Sequence, residues 1–124
     1  MSPALRLEID EPAGGGGFRP GDWVRGRVSV LEGGGSRSLS VAVHFRERSP
    51  DYSATPATYG GTPVHEGDLT QGASFSFAVQ LPPDALPSHS SANGELFYEV
   101  EAKSDERGLD TRESKRIEVT TGQA

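Results

Sequence analysis

The sequence predicts an all-β protein built as a two-sheet antiparallel sandwich, and three observations lead to this prediction. Several stretches alternate apolar and polar residues with a period of two, which is the period of a half-buried strand. No stretch carries a sustained helical period. The 16 glycines and 9 prolines among 124 residues suit short strands joined by turns. Strands at such spacings are typical of immunoglobulin-like sandwiches, and we treat residues 1–124 as one domain of this kind.

The chain is organised around residues 18–30, where a turn leads into a strand. Pro20-Gly21-Asp22 sets the chain direction, because proline fixes φ and glycine tolerates the left-handed region. Apolar or small residues then occupy every second position: Val24, Gly26, Val28 and Val30. A glycine on the inward face usually marks a bulge or a close approach of another backbone. We therefore expect such a feature at Gly26.

The same alternation predicts five further strands, at residues 4–10, 38–48, 73–81, 95–104 and 111–120. The predicted core is the set of inward positions Leu7, Ile9, Val28, Val41, Val43, Phe75, Phe77, Tyr98, Val100 and Val119. Residues 49–62 are polar and unpatterned, which predicts an irregular loop that holds at most a short edge strand. Residues 64–69 are predicted to pair at an edge, and residues 84–94 to cross over the end of the sandwich.

Composition and charge exclude several classes of function. The formal net charge is −6, with both signs interspersed, which argues against nucleic acid and against anionic membrane surfaces. The chain has no cysteine, which excludes disulfides, zinc–cysteine sites and thiol nucleophiles. The first residues show neither a basic start nor an apolar run. We therefore expect no signal peptide, no membrane span and a cytoplasmic location.

No residue pattern assembles an obvious catalytic or metal site. The three histidines, His44, His65 and His89, lack metal-ligand spacing, although the first two could meet across strands. Ser88 precedes a histidine, but neighbours in a loop do not make a triad, which needs three groups from separate elements. We expect no catalytic residue, no cofactor and no enzymatic activity.

An acidic cluster near the C-terminus offers a weaker case for a metal. It consists of Asp105, Glu106, Asp110 and Glu113. Its spacing lacks the alternating oxygen ligands of a calcium loop, and arginines intervene. We interpret it as a charge-balanced hairpin end and expect no metal site.

Three motifs, taken in order, resemble the arrestin-like domain family. They are the Pro-Gly-Asp turn with its strand at residues 18–30, Leu-Pro-Pro-Asp-Ala-Leu-Pro-Ser at residues 81–88, and Gly-Glu-Leu-Phe-Tyr-Glu-Val-Glu-Ala at residues 94–102. The resemblance implies an arrestin-like sandwich that acts as a protein-binding adaptor or scaffold, without cofactor or enzymatic activity.

Two departures from the family qualify that implication. Members usually carry two sandwiches in tandem, whereas this chain covers one. The receptor-binding branch recognises phosphate through clustered basic residues, but the first strand here offers only Arg6. The chain is more similar to the bacterial sporulation-control branch, whose members begin with this kind of domain.

If Val24 faces the core, Trp23 faces outward, and two interpretations of its indole are open. In the first, which we favour because strand boundaries are uncertain by a few residues, a loop covers the indole. In the second, the indole contacts a partner, since tryptophan is enriched at interface hot spots.

The candidate protein-binding residues are Trp23, Val64, His65 and Glu66. The last three stand on a predicted edge strand with few charges, and exposed edges invite strand addition by a partner protein or a second copy. The alternative function is binding of carbohydrate or another ligand. It would need a platform of exposed aromatic residues, for which the candidates are Trp23, Tyr52, Tyr59 and Phe97.

Overall fold

The computed structural model describes residues 2–12 and 14–121, which form eight β-strands and no helix. The strands are β1 (Ala4–Ile9), β2 (Trp23–Glu32), β3 (Ser38–Ser49), β4 (Tyr52–Glu66), β5 (Ser74–Gln80), β6 (His89–Ser91), β7 (Gly94–Asp105) and β8 (Thr111–Ile117). Over these residues there is accordingly no helix with the length and hydropathy to cross a membrane.

The strands form two antiparallel sheets that pack face to face. One sheet has three strands in the order β1-β2-β5, and the other has five, in which β4-β3-β7 run side by side. Both β6 and β8 pair with β7, β6 along residues 94–96 and β8 along residues 98–104. The all-β, two-sheet antiparallel sandwich predicted from the sequence is confirmed.

The core lies between the sheets and follows the period-two pattern. Along β2, every second residue from Val24 to Val30 is buried, while Arg25 and Arg27 between them are exposed. Eight of the ten predicted core residues are buried, and the other two, Ile9 and Phe75, are half-buried against them. The alternation in the sequence therefore identified the inner faces correctly.

Tyr98 fixes the crossover between β5 and β6 against this core. Its ring is fully buried and packs against Phe45, with the ring centroids 4.8 Å apart. Its hydroxyl donates a 2.6 Å hydrogen bond to the carbonyl of Leu86. Burial raises the pKa of the phenol to about 12, because the charged phenolate would lose its hydration. One side chain therefore supplies both packing volume and the tie to the crossover.

Gly26 confirms the close approach expected from its inward position. It pairs with Ile9 on one side and with Phe77 on the other. A Cβ atom at this residue would lie 2.0 Å from the carbonyl oxygen of Glu8. Only glycine leaves room for β1 to pack this tightly on β2.

One prediction about the connecting segments is wrong, and another is right only in part. Residues 49–62 do not form an irregular loop, because most of them belong to β4, the longest strand at 15 residues. The predicted pairing of residues 64–69 at an edge is confirmed as far as Glu66, where β4, an edge strand of the five-stranded sheet, ends. The crossover also contains the short strand β6, in which every residue is exposed.

Candidate protein-interaction surface

Trp23 opens β2 and points outward from the three-stranded sheet. The side chain is 46% exposed, so the favoured expectation of a loop-covered indole is wrong. Its neighbour on the sheet is Gln80, at the end of β5. The guanidinium of Arg25 lies 5.4 Å from the ring centroid, a cation–π contact that leaves much of the indole in water.

The other three candidate residues, Val64, His65 and Glu66, close β4 at the edge of the five-stranded sheet. Val64 is a bulge, because Leu39 pairs with His65 while Ser40 pairs with Pro63. The His65 ring stacks on Phe75 with the centroids 4.6 Å apart, and its Nε2 lies 3.0 Å from the carbonyl oxygen of Asp68. Glu66 is exposed. This end of β4 therefore packs against β5, a strand of the other sheet.

The structure does not bring Trp23 and His65 together, but β5 connects them. His65 contacts Phe75 near the start of β5, and Trp23 pairs with Gln80 at its end. Five residues of extended strand span about 17 Å. We call β5 together with residues 57–66 of β4 the β4–β5 side. Trp23 lies at the rim of this side, meaning next to Gln80 at the end of β5.

A glycine lets the two strands approach along this side. Gly60 has φ of 78° and faces Val79, so a Cβ atom at Gly60 would lie 2.8 Å from a Val79 methyl group. The strands touch without pairing, since the partners of β5 and β4 are β2 and β3 respectively. The two strands therefore meet here through side-chain packing, and no hydrogen-bonded ladder joins them.

The hydrophobic core is incompletely covered along the β4–β5 side. Seven half-buried apolar residues pack against the buried core, and five of them lie on β4 or at β5: Ala57, Tyr59, Val64, Ala73 and Phe75. Partly exposed apolar residues concentrated on one side of a sandwich are typical of an interaction surface. This concentration could not be seen in the sequence, because β4 was not recognised as a strand.

The outer face of the five-stranded sheet has a different character, because its charges are paired with one another. Arg46 Nε lies 2.8 Å from Glu99 Oε1, and His44 Nε2 lies 3.1 Å from Glu101 Oε1. Arg112 reaches the same Glu101 oxygen at 3.4 Å. The sequence shows alternating basic residues on β3 and alternating acidic residues on β7. That they face one another becomes apparent only when the pairing of these two strands is known. A face whose charges are already satisfied offers a partner little new electrostatic energy.

Glu95 and Phe97 extend this face toward β6. Glu95 accepts hydrogen bonds from Arg48 at 2.7 Å and from Arg116 at 2.8 Å, and these bonds hold the pKa of its carboxyl below the usual range. The Arg116 guanidinium lies 3.8 Å from the centroid of the Phe97 ring, which is only 7% exposed. The arginine therefore both neutralises the acid and covers the ring.

The aromatic residues do not assemble a carbohydrate platform. Trp23 and Tyr52 are exposed, but they stand on different sheets, and Tyr52 lies at the β3–β4 hairpin end, where it pairs with Ser49. Tyr59 is half-buried against the core, and Phe97 lies under Arg116. The alternative of carbohydrate binding therefore finds no support in the arrangement of these four rings.

A shallow notch of about 340 Å³ lies between the ends of β6 and β8, and Ser88, His89 and Glu95 line it. Ser88 Oγ accepts a 3.0 Å hydrogen bond from the Val119 amide, so it ties the crossover to the last segment of the chain. Glu95 is held by two arginines. Within the described ranges no hydrogen bond joins the three side chains into a relay, and the structural interpretation of Ser88 fits this geometry.

Neither the histidines nor the acidic cluster converges on a common point. His44 contacts Thr58 and Glu101, far along β4 from His65. Asp105 pairs with Arg37 at 2.9 Å, and Asp110 accepts a 2.9 Å bond from the Glu106 amide. Over residues 2–12 and 14–121, no group of three His, Cys, Asp or Glu residues could hold a metal ion.

Glu106 is a buried charged residue in this region. It is 8% exposed, and its Oε2 has no hydrogen-bond partner among the described residues. The sequence predicted a solvated hairpin end here, but the structure buries Glu106 next to Arg37. The Arg37 guanidinium donates a 3.3 Å hydrogen bond to the backbone carbonyl of Glu106.

Comparison with known proteins supports the fold. No protein-family model matches the chain, and no curated protein sequence matches it. Among solved structures, the chain is similar to Spo0M, a sporulation control protein from Bacillus subtilis, with a TM-score of 0.70 and 19% sequence identity. The match covers 96% of this chain and 49% of Spo0M, so the chain spans about half the length of that protein. The arrestin-like resemblance of the sequence is thereby confirmed at the level of fold: the chain is an arrestin-like β-sandwich.

Proposed function

We propose that this chain is a non-enzymatic protein-binding module of the arrestin-like type, which acts as an adaptor or scaffold through its β4–β5 side. The proposal includes the absence of a cofactor and a cytoplasmic location, as the sequence led us to expect.

The single observation that carries the proposal is the incomplete covering of the core along the β4–β5 side. Four of the seven half-buried apolar residues lie there and a fifth, Ala73, directly precedes β5, and Trp23 lies beside this side with 46% of its surface in water. A tryptophan beside a partly apolar surface is the composition of an interface hot spot. The outer face of the five-stranded sheet is a weaker candidate, because its charges already pair with one another.

The fold likeness adds support of a general kind. Spo0M is described as a sporulation control protein. Regulation by a sandwich of this type is most simply achieved by binding other proteins. We extend only this general idea to the present chain.

The test is capture of partners from a lysate of the source cells on the immobilised protein. Trp23→Ala removes the exposed indole without touching the core, so recovery of a bound partner should fall about tenfold. Tyr52→Ala is the matched control, because Tyr52 is also an exposed aromatic residue, at 55%, but lies outside the β4–β5 side. Equal recovery on the wild type and on Trp23→Ala, with loss on Tyr52→Ala, would contradict the proposal.

A further inference from the structure

We infer that two copies of this chain associate through β5, edge to edge and antiparallel, and so join their three-stranded sheets into one sheet of six strands. The inference deepens the proposed function, because it names a second copy of the chain as an occupant of the β4–β5 side.

The four sheet edges differ in how well they are protected against strand addition. At the edges of the five-stranded sheet, β4 carries Pro56, Pro63 and three register shifts, and β8 carries four charged residues. β6 shares the edge along β7 with β8, but it has only three residues, and so short an edge strand is itself a protection against pairing. In the three-stranded sheet, β1 carries Arg6 and Glu8. Prolines, bulges and charges are the devices that keep edges from pairing.

β5 is the edge that lacks all of these devices. Its sequence, Ser-Phe-Ser-Phe-Ala-Val-Gln, contains no charge, no proline and no glycine. It pairs with β2 over all seven residues without a register shift. The end of β4, which we expected to invite strand addition because it carries few charges, is better protected than β5, since Val64 there follows Pro63 and is itself a bulge.

The backbone of β5 has hydrogen-bonding capacity left on its free side. Its ladder runs to β2 alone, and within the described ranges the backbone of residues 75–79 bonds to no other segment. A strand has donors and acceptors on both sides, so the side turned away from β2 is open to an added strand. Main-chain pairing of this kind is the usual mode of β-augmentation.

The sequence of β5 is complementary to itself about its central residue. An antiparallel pair centred on Phe77 places Phe75 opposite Val79 of the second copy, and Ser76 opposite its Ala78. Inward apolar residues therefore meet inward apolar residues, and small outward residues meet small ones. No charge stands opposite a like charge, and such a two-fold arrangement closes on itself as an isologous dimer.

The incompletely covered core gives the second copy something to bury. In the joined sheet, the inward side chains of the added β5 continue the inner face beyond Phe75 and Val79, and they lie beside the half-buried residues of β4. Tyr59 and Val64 are the largest of these. An occupant with alternating apolar residues and no charge suits this position, and β5 itself has that pattern.

The experiment measures molar mass by light scattering and by sedimentation over a range of protein concentrations. The wild type should form a dimer. Ser76→Lys and Ala78→Glu each place a charge on the outward face of β5, where both side chains are exposed. In a dimer centred on Phe77 each change occurs twice, so like charges adjoin and the dissociation constant should rise about tenfold.

Mixing the Ser76→Lys and Ala78→Glu variants tests the register itself. A heterodimer places the introduced lysine of one copy directly opposite the introduced glutamate of the other, so the mixture should associate more tightly than either variant alone. Ser114→Lys is the control, because it adds a lysine at an exposed position of β8. It should leave the dimer unchanged.

Three results would overturn the inference: a monomeric wild type up to about 1 mM, a dimer that neither variant weakens, or a mixture that associates no better than its components. Such results leave the proposed function standing if the monomer still captures a partner in a manner that depends on Trp23. Loss of that capture with an intact dimer would instead contradict the proposed function alone.

Discussion

Substitution of Gly26 by alanine should destabilise the protein by about 3 kcal/mol, through one methyl group in the centre of the three-stranded sheet. The added Cβ would lie 2.0 Å from the carbonyl oxygen of Glu8 and 2.9 Å from Cζ of Phe77. Cβ atoms essentially never come within 3.0 Å of such atoms, so β1 has to move by about 1 Å. Overpacking of a core usually costs about 1–3 kcal/mol. We expect the upper end of that range, because the obstructing atom belongs to the backbone and β1 contributes Leu5 and Leu7 to the core.

The assay is chemical and thermal unfolding followed by circular dichroism. A loss of about 3 kcal/mol should lower the melting temperature by about 10 °C for a domain of this size. Gly35→Ala is the control, because the nearest atom to its Cβ would be an Asp68 carboxylate oxygen 3.9 Å away. It should be neutral, or stabilising by a few tenths of a kcal/mol. A Gly26→Ala protein as stable as Gly35→Ala would refute the close packing of β1 on β2.

Three further predictions concern the core, pH and metals. Phe77→Ala should cost about 3–5 kcal/mol because the ring is buried between the sheets, whereas Ser76→Ala on the outer face should leave the urea midpoint unchanged. Tyr98→Phe loses the hydrogen bond to Leu86 and should cost about 1–2 kcal/mol at neutral pH in the same unfolding assay. Since burial raises the pKa of Tyr98 from 10.0 to about 12, the contribution of Tyr98 to stability is fully present below pH 10 and is lost as the pH rises toward 12; a titration of the unfolding free energy that falls as steeply in Tyr98→Phe would contradict this. Calorimetric titration with zinc and calcium, and assays on ester and phosphoester substrates, should show neither stoichiometric binding nor turnover, and a micromolar metal affinity would overturn that expectation.

Most of the strands that could be predicted have one buried and one exposed face; β8, predicted at residues 111–120, is the exception, because its residues from Arg112 to Arg116 are all exposed. β2, β5 and β7 alternate in burial along most of their length, so their sequences carry the period of two. β4 carries no such signal, because it is exposed on both faces over much of its length and its three bulges shift the phase of the pattern. β6 is too short, at three exposed residues, to show a pattern at all.

The candidate surface was only partly predictable for a related reason. The outward parity of Trp23 followed from the strand pattern, but whether a loop covers the indole depends on the tertiary packing of distant segments. The uncharged sequence of β5 could be seen from the start. Its position at a sheet edge could not, because strand order depends on pairings between residues far apart in the chain.

Photo-cross-linking in the source cells tests most directly the claim that the β4–β5 side is the surface that binds protein. A photoreactive phenylalanine analogue is placed in turn at three positions. Ala78 lies within the β4–β5 side, Trp23 lies at its rim, and Glu113 is an exposed residue of β8 outside it. We expect covalent adducts from positions 23 and 78 and none from position 113, and the adduct masses separate a second copy of the chain from another protein. Adducts from position 113, with none from positions 23 and 78, would contradict the account.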